Sequence, residues 1–258
     1  MPNIHPTGLV DPAAELEEGV AIGPYAIVEA DVCIGAETEI GAYTVIKRHT
    51  RIGRGNQVHE HAVIGGDPQD VSFKPCVSRV IIGDDNRIRE GVTIHRATQA
   101  GQATRIGDGN FLMAYAHVAH DCAVGNQTVF ANGATLAGYV SVGDRAFLSG
   151  SVVIHQFCRI GRLVMLSGLA AVGMDCLPFI LAAGNPARAK GLNRIGLRRA
   201  GFSQAEIQEL NRAFHLLLLS GRPLKEALAE LSAWGSPLVS EWVSFIGSSK
   251  RGFAHHRE

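Results

Sequence analysis

The stretch TVFANGATLAGYVSVGDRAFLSGSVVIHQFCRIG, residues 128–161, carries a large apolar side chain at every sixth position. These side chains are Phe130, Leu136, Val142, Leu148, Ile154 and Ile160. The same phase extends from Ile4 to Val172 and fails only at Asp70, Cys76 and Ala100. A phase that holds over this length indicates a repeat architecture.

A second column of side chains stands two positions before the large residues. It is made of small residues, β-branched residues and asparagines: Thr38, Thr44, Thr50, Ala62, Asn86, Val92, Asn110, Ala116, Cys122, Thr128, Ala134, Ala146, Val152 and Cys158. Residues two apart on a strand share a face, so both columns are expected to point inward. A six-residue period with one apolar face fits neither a helix nor a flat sheet. It predicts a coil of short parallel strands, a β-helix.

Glycine often follows the large residue, for example at Gly35, Gly107 and Gly161. Because glycine adopts backbone angles that other residues avoid, this position is predicted to need such angles in a turn. The chain has 30 glycines and only 6% aromatic residues, which also favours many short strands joined by tight turns.

The phase and its interruptions divide the chain into two parts. Residues 1–185 are predicted to form the β-helix, with inserted loops near 66–80 and 97–104, where the phase fails. Residues 186–258 are predicted to form a C-terminal helical domain, because their apolar residues follow helical spacing.

Three helices are predicted in that C-terminal part. FSQAEIQEL (202–210) opens the first, because Ser203 and Glu206 have the spacing of a capping box. RPLKEALAELSAW (222–234) and PLVSEWVSFIG (237–247) predict the other two.

The bulk composition excludes several classes of protein. Basic and acidic residues number 24 each, so the formal net charge is zero and the basic excess of a nucleic-acid binder is missing. No apolar run approaches the roughly 18 residues that span a bilayer. The N-terminal MPNIHPTG lacks signal-peptide regions, and the five cysteines have no CxxC spacing. A cytoplasmic protein that does not span a membrane is expected.

The stretch AHVAHD, residues 116–121, interrupts this regular pattern with two histidines and an aspartate. Ala116 and Val118 occupy the two inward columns, so His117 and His120 are expected on the outer surface of the coil. A pair of outward histidines with Asp121 beside it favours acid–base chemistry over a solvated surface.

The repeat resembles that of the hexapeptide-repeat acyltransferases. In that family three hexapeptides form one triangular coil, the coil is left-handed, and three chains assemble. The resemblance therefore implies an all-β left-handed parallel β-helix of about nine coils, stacked at strand spacing, in a homotrimer.

Residues about 18 apart then lie above one another on neighbouring coils. Gly138 is expected over His120, with Gln156 above it, and Tyr139 over Asp121. A glycine beside a histidine leaves room for a reacting group and exposes a backbone N–H that can stabilise an oxyanion.

Six motifs carry a closer resemblance that covers nearly the whole chain. They are IREGVTIHRAT (88–98), AHVAHDC (116–122), LAG (136–138), IHQFC (154–158), GNPA (184–187) and RRAGFS (198–203). These motifs are similar to those of the UDP-N-acetylglucosamine acyltransferases, which begin lipid A synthesis. The resemblance implies transfer of a 3-hydroxyacyl chain from an acyl carrier protein thioester to the 3-hydroxyl of UDP-N-acetylglucosamine. No cofactor and no metal are implied, because the thioester is itself the donor substrate.

The resemblance also implies a role for each matching residue. His120 is the expected general base, Asp121 supports it, and the Gly138 N–H stabilises the oxyanion. Gly168 matches the position that limits acyl-chain length. The expected substrate-binding residues are Asp70, Ser72, His117, Tyr139, His155, Gln156, Asn193, Arg198 and Arg199.

Four positions depart from the family pattern. Ser72 replaces a lysine, Tyr139 a histidine, Ile195 a glutamate and Ala200 a basic residue. In the family these positions contact the sugar or the nucleotide. The departures keep open an alternative, a paralogous hexapeptide acyltransferase whose acceptor is another nucleotide sugar or an amino sugar.

The sequence leaves three further alternatives. A γ-type carbonic anhydrase shares the coil and needs zinc-binding histidines, for which His59, His61, His117 and His155 are candidates. A glucosamine N-acyltransferase of the lipid A pathway is expected to carry an N-terminal uridine-binding domain, whereas the repeat here begins at Ile4. A non-catalytic scaffold predicts that replacing His120 leaves activity intact.

Overall fold

The computed structural model, which describes residues 1–256, is a left-handed parallel β-helix followed by a short helical region. The strands are β1 (Asn3–Ile4), β2 (Leu9–Val10), β3 (Glu15–Leu16), β4 (Ala21–Ile22), β5 (Ile27–Val28), β6 (Cys33–Ile34), β7 (Glu39–Ile40), β8 (Val45–Ile46), β9 (Thr50–Ile52), β10 (Gln57–Val58), β11 (Val63–Gly66), β12 (Arg79–Ile82), β13 (Arg87–Ile88), β14 (Thr93–His95), β15 (Ala103–Ile106), β16 (Phe111–Leu112), β17 (His117–Val118), β18 (Ala123–Val124), β19 (Val129–Phe130), β20 (Thr135–Leu136), β21 (Ser141–Val142), β22 (Phe147–Leu148), β23 (Val153–Ile154), β24 (Arg159–Ile160), β25 (Met165–Leu166), β26 (Ala171–Val172), β27 (Ile180–Ala183) and β28 (Arg188–Leu192).

The strands form three sheets, which are the three faces of a triangular coil. Face one has eleven strands (β1, β4, β7 and so on to β25, then β27 and β28), face two has nine (β2 to β26), and face three has eight (β3 to β24). Each strand of the coil pairs in parallel with the strands of the neighbouring coils; on face two, His117 lies beside Thr93 on one side and Thr135 on the other. The fold class predicted from the phase is therefore confirmed.

The predicted inward columns form the core. Large residues such as Leu136 and small ones such as Ala116 are fully buried. The first coil is the exception: Ile4 is 43% exposed, because no coil lies below it.

The reason predicted for the glycines that follow the large residues is wrong. None of Gly35, Gly107 and Gly161 has a positive φ angle. Their role is steric, because a Cβ on Gly35 would lie 2.6 Å from a backbone carbon of the next coil, and one on Gly161 would lie 2.3 Å from the Pro178 nitrogen. The left-handed backbone angles occur at corner positions occupied mostly by other residues, among them Asp121 (φ 59°).

Inside the coil, buried asparagines form a hydrogen-bonded ladder across successive coils. The Nδ2 of Asn86 donates to Asn56 Oδ1 at 2.9 Å, and the Oδ1 of Asn86 accepts from the backbone N–H and Nδ2 of Asn110 at 2.8 and 2.9 Å. Asn110 Oδ1 in turn accepts from Thr128. Every polar atom of Asn86 that is named here is satisfied, so these buried amides hold neighbouring coils in register.

The helices are α1 (Arg194–Arg199), α2 (Gln204–Phe214), a π-helical turn (His215–Leu219), α3 (Leu224–Ser232) and α4 (Pro237–Gly247). The three predicted helices are confirmed, and α2 begins with the predicted capping box of Ser203 and Glu206. The helices pack on the end of the coil, where Trp242 Nε1 donates to the Pro178 carbonyl at 2.9 Å.

The predicted division at residues 185/186 remains a prediction, but the segment after it is not all helical. β28 (Arg188–Leu192) runs antiparallel to β27 and extends face one of the coil. The short helix α1 was not predicted; it begins at Arg194 because Asn193 caps it, accepting from the Gly196 N–H at 3.0 Å.

Candidate active site

Three consecutive coils place their irregular segments at one corner of the triangle, between faces two and three. The insertion 67–78 joins β11 to β12, the insertion 96–102 joins β14 to β15, and the turn 119–122 joins β17 to β18. We call this edge of the coil the catalytic corner. The loops that break the repeat thus surround the AHVAHD turn, although they are distant from it in sequence.

His120 and Asp121 form a hydrogen-bonded pair at this corner. His120 Nδ1 lies 2.9 Å from Asp121 Oδ2, and their side chains are only 7% and 9% exposed. Because a carboxylate accepts hydrogen bonds, Nδ1 is the protonated ring nitrogen and Nε2 carries the free lone pair. Nε2 has no hydrogen-bond partner within residues 1–256, and it is not fully buried. An incoming proton donor can therefore reach it.

Both side chains lie outside the coil core, as predicted, but His120 is not a solvated surface histidine. It is 5% exposed, because its neighbours at the corner enclose it. The Tyr139 ring packs against the imidazole at a centroid distance of 5.4 Å and an angle of 87°. An imidazole held in this way has one orientation from which to act.

The Asp121 carboxylate is fixed by the insertion 96–102. Its Oδ2 accepts from the Thr98 backbone N–H at 3.0 Å and from the Thr98 hydroxyl at 2.8 Å. The backbone N–H of Asp121 donates to Thr104 Oγ1 at 2.8 Å. Asp121 therefore keeps a fixed carboxylate beside His120, which suits an ionised partner that supports an imidazolium.

Gly138 lies directly against His120, one coil further along, as the repeat predicted. A Cβ at this position would come within 2.3 Å of His120 Cε1 and 2.6 Å of Nε2, so only glycine fits without a shift of the ring. In the described part of the chain, the Gly138 N–H donates no hydrogen bond. A free N–H beside a free Nε2 is the pairing that general-base attack on a carbonyl requires.

A group of histidines adjoins the pair on face two. His117 Nδ1 shares a 2.7 Å hydrogen bond with Thr93 Oγ1, and the His95 ring packs edge-on against His117 at 4.9 Å. Burial, with a smaller contribution from the repulsion that a protonated His120 would exert, lowers the pKa of His117. Burial, and the repulsion that protonated His117 and His120 would exert, lower the pKa of His95 to about 4. Both rings are therefore neutral at pH 7.

Asp70 and Ser72 lie together in the insertion 67–78. Asp70 Oδ1 accepts from the Ser72 backbone N–H at 2.8 Å and from its hydroxyl at 2.7 Å. These two hydrogen bonds, with a smaller contribution from the charge of His120, lower the pKa of Asp70. Asp70 is therefore a partly exposed anion near His120, and both hydrogen bonds come from Ser72, which stands where the family pattern has a lysine.

This insertion is held down by a residue that was not predicted, Arg96. Arg96 Nε donates to Asp67 Oδ1 at 2.9 Å, and its guanidinium also donates to Ser78 Oγ at 2.9 Å and lies over the Phe73 ring at 5.1 Å. Arg96 is 8% exposed. It contacts Asp67 at the start of the loop and Ser78 at its end, and so fixes both ends.

A cavity of about 340 Å³ lies between the two insertions. Its lining includes Asp70, Ser72, Lys74, Thr98 and Tyr139. Lys74 thus faces the same space as Asp70, two positions after the expected lysine. A larger concavity of about 560 Å³ lies on face one of the first coils, away from the His120–Asp121 pair.

His155 and Gln156 lie further along the coil from His120. His155 is exposed, and its Nδ1 lies 3.1 Å from the Gln156 carbonyl. Gln156 follows Gly138 in the column that begins with His120, as the repeat predicted, since the Phe157 N–H donates to the Gly138 carbonyl. Their predicted contacts with substrate remain a prediction.

The structure places Gly168 at a different corner of the coil. It lies between β25 on face one and β26 on face two, where a Cβ would meet only the Gly150 carbonyl, at 3.6 Å. Within one chain, Gly168 therefore cannot adjoin His120.

Asn193, Arg198 and Arg199 are not brought to the catalytic corner either. Asn193 caps α1 and donates from Nδ2 to the Leu163 carbonyl at 2.8 Å, and both arginines are exposed on α1. The departures Ile195 and Ala200 belong to the same helix, Ile195 exposed and Ala200 at its C-terminal cap.

The structure also bears on metals and membranes. Up to His256, no three His, Cys, Asp or Glu side chains are grouped so that they could hold a metal ion. Over the same range, no helix is both long enough and apolar enough to cross a bilayer.

The chain matches two protein families. The family described as "Udp N-acetylglucosamine O-acyltransferase; Domain 2" matches residues 175–254, and "Bacterial transferase hexapeptide (six repeats)" matches residues 13–48 and 103–138. The acyl-[acyl-carrier-protein]--UDP-N-acetylglucosamine O-acyltransferase of Alkalilimnicola ehrlichii is 53% identical over 255 residues, which cover 98% of this chain and 99% of that protein. The chain belongs to the UDP-N-acetylglucosamine O-acyltransferase family.

Other members of the UDP-N-acetylglucosamine O-acyltransferase family agree with this assignment. The enzyme of Herminiimonas arsenicoxydans is 46% identical over 256 residues, covering 96% of this chain and 98% of that protein. The solved acyltransferase structures from Francisella novicida and Bacteroides fragilis each superpose with a TM-score of 0.95, at 34% and 39% identity. They cover 99% and 97% of this chain, and 95% and 99% of their own chains, so the family match includes the helical region.

Proposed function

We propose that this chain transfers an acyl group from the thioester of an acyl carrier protein to the 3-hydroxyl of UDP-N-acetylglucosamine. The chain is an acyltransferase by family membership, and the family favours this acceptor over the other nucleotide sugars and amino sugars that the four departures left open. The observation that carries the proposal is the His120–Asp121 pair, with its free Nε2 against the bare backbone of Gly138.

The geometry supports one sequence of steps. His120 Nε2 takes the proton of the acceptor hydroxyl while the oxygen of that hydroxyl attacks the carbonyl carbon of the thioester. The carbonyl oxygen becomes an oxyanion, which accepts a hydrogen bond from the Gly138 N–H. The C–S bond then breaks, and the imidazolium returns its proton to the carrier's thiolate. Asp121 stabilises the imidazolium during the interval.

We further propose that the active sites lie between the subunits of a homotrimer. Gly168, the expected limit on acyl length, lies at a corner that no single chain brings to His120. Asn193, Arg198 and Arg199, expected to bind substrate, are also away from the pair. A neighbouring subunit that turns these residues toward the catalytic corner of the first would supply both groups. The exposed arginines offer positive charge to an acidic carrier protein.

Two expectations accompany this proposal. The transfer needs no metal or organic cofactor, because base, oxyanion donor and activated thioester are all accounted for. Turnover is then unchanged after dialysis against EDTA, and a loss restored by one added metal would contradict this.

The protein is expected in the cytoplasm, where cell fractionation should recover it with acyl carrier protein.

A donor-by-acceptor screen tests the proposed function. Carrier proteins bearing 3-hydroxyacyl chains of different lengths, and acyl-CoA, are offered with UDP-N-acetylglucosamine or its 3-amino analogue. We expect acylation of the 3-hydroxyl from the carrier thioester, and a fall in turnover of about 10²–10⁴-fold in the His120→Ala variant. If the folded protein acylates neither UDP-sugar, the proposed function is wrong. If His120→Ala retains full turnover, the assigned base is wrong.

A further inference from the structure

Tyr139, one of the four departures from the family pattern, is held by three contacts at the catalytic corner. Its backbone has a left-handed conformation (φ 60°), and its N–H donates to the His120 carbonyl at 3.0 Å. Its ring packs edge-on against His120 and stacks on Phe157 at a centroid distance of 5.0 Å. The phenol hydroxyl therefore occupies a defined place.

That hydroxyl lies 2.8 Å from Thr98 Oγ1, which itself lies 2.8 Å from Asp121 Oδ2. The donors in this chain can be assigned. The Asp121 carboxylate only accepts, so the single hydroxyl proton of Thr98 points to Asp121. Thr98 Oγ1 is then left as an acceptor, and the proton between Thr98 and Tyr139 comes from the phenol.

We propose that Tyr139 and Thr98 are positioning residues for the base, joined in a directed chain from the Tyr139 hydroxyl through Thr98 and Asp121 to His120. This inference rests on the proposed function, in which His120 is the base. The phenol occupies one acceptor site of Thr98 Oγ1 and so keeps the Thr98 proton on Asp121. With Thr98 N–H and His120 Nδ1–H, Oδ2 then receives three donors that fix the carboxylate. The fixed carboxylate in turn keeps the proton of His120 on Nδ1 and leaves Nε2 free.

This role differs from the substrate contact expected of Tyr139. A residue that binds the acceptor changes KM and acts independently of Thr98. A residue that acts through Thr98 lowers kcat and has no effect once the Thr98 hydroxyl is gone. A double-mutant cycle separates the two cases.

The cycle uses Thr98→Val, Tyr139→Phe and the double variant. Valine keeps the shape of threonine and its backbone N–H, and phenylalanine keeps both ring contacts, so the variants remove hydroxyls only. We expect kcat to fall about tenfold in Thr98→Val and about fivefold in Tyr139→Phe, sizes typical of single hydrogen bonds. The double variant should match Thr98→Val alone, with KM for the acceptor unchanged. Multiplicative losses in kcat, or a raised KM in Tyr139→Phe, would overturn the proposal.

A second measurement needs no substrate. Ring ¹⁵N-labelled histidine resonances report which nitrogen carries the proton, and the His120→Ala variant identifies the signal of His120. We expect the Nδ1–H form in the unmodified protein and a smaller population of it in Thr98→Val and Tyr139→Phe. If the tautomer population is the same in all three proteins, the positioning role is wrong. Because no acylation is involved, this result stands even if the proposed acceptor fails in the screen.

Tyr43→Phe is the matched control. Tyr43 also has a left-handed backbone (φ 57°), and its ring stacks between Tyr25 and His61 on the first coils, away from the catalytic corner. Removing its hydroxyl should leave kcat and the His120 signal unchanged. If the control moves either readout as far as Tyr139→Phe does, the effect is not specific and the proposal fails.

Discussion

The imidazole of His120 and the backbone of Gly138 are in direct contact, so close that a methyl group on Gly138 would lie 2.3 Å from Cε1 and 2.6 Å from Nε2. The contact follows from the repeat, because neighbouring coils bring residue 138 over residue 120. It places the proposed base and the proposed oxyanion donor side by side on consecutive coils.

Gly138→Ala should therefore damage activity far more than stability. The added methyl must push the imidazole aside, and a displacement of about 1 Å at a reacting group can lower turnover about 10²-fold. We expect a loss of kcat of about that size, with a melting temperature near that of the unmodified protein. Gly173→Ala is the control, since a Cβ there meets no atom within 4 Å. A Gly138→Ala enzyme with more than half the normal kcat would contradict this role for the contact.

The regular part of the molecule could be predicted from sequence because each coil repeats the same constraint. The six-residue phase was sufficient to predict the inward columns and the outward histidines. The stacking of Gly138 on His120 also needed the coil of three hexapeptides that the family resemblance implies. The Thr98–Tyr139 hydrogen bond and the Arg96–Asp67 pair could not be predicted in this way. The phase stops in the insertions, and their contacts depend on loop conformation.

The corner glycines and α1 show the limits of local rules. Glycine was expected where the backbone needs positive φ, but Gly35 is required by the close approach of the next coil. α1 is only 6 residues long, so its apolar spacing carries little signal. Its start depends on one side chain, that of Asn193. The spatial separation of Gly168 from His120 depends on which faces of the coil their flanking strands occupy.

Acid should destabilise the protein through His95. Its pKa is about 4 in the folded chain, against an ordinary value of 6.5, because the ring is buried near His117 and His120. Between these pH values the unfolded chain binds a proton that the folded chain does not, so stability decreases as pH falls from about 6.5 to about 4. His95 alone can account for up to about 3 kcal/mol of this loss.

Melting temperatures at pH 7 and pH 5, at one protein concentration, measure this effect. His95→Phe removes the titrating group together with a buried Nδ1 that has no hydrogen-bond partner, so its melting temperature should fall less on acidification. His215→Phe, a change at an exposed histidine, should leave the pH dependence as it was. Equal falls in the His95→Phe and unmodified proteins would show that another group is responsible.

The asparagine ladder should contribute strongly to stability. Asn86→Ala leaves the backbone N–H and Nδ2 of Asn110 without their acceptor inside the coil. It also removes the side-chain donor to Asn56 Oδ1, which keeps its hydrogen bond from the backbone N–H of residue 86. Each buried polar group left unsatisfied costs about 1–3 kcal/mol, so we expect a loss of about 3–5 kcal/mol in the free energy of unfolding. Urea unfolding measures it, with Asn132→Ala at an exposed position as the control. A loss below 1 kcal/mol would mean that water or a shift of the coils replaces the ladder.

Mixed forms of the proposed trimer should reveal whether the site is shared between chains. His120→Ala trimers are expected to be inactive, and Gly168→Met trimers to lose long-chain donors only, because the larger side chain fills the space left by Gly168. If His120 of one chain works beside Gly168 of another, unfolding the two variants and refolding them together creates interfaces with both residues intact. Long-chain activity should then appear in the mixture, although neither variant has it alone. If both residues of a site come from the same chain, no mixture contains an intact site, and the continued absence of long-chain activity in confirmed mixed trimers would contradict the shared arrangement.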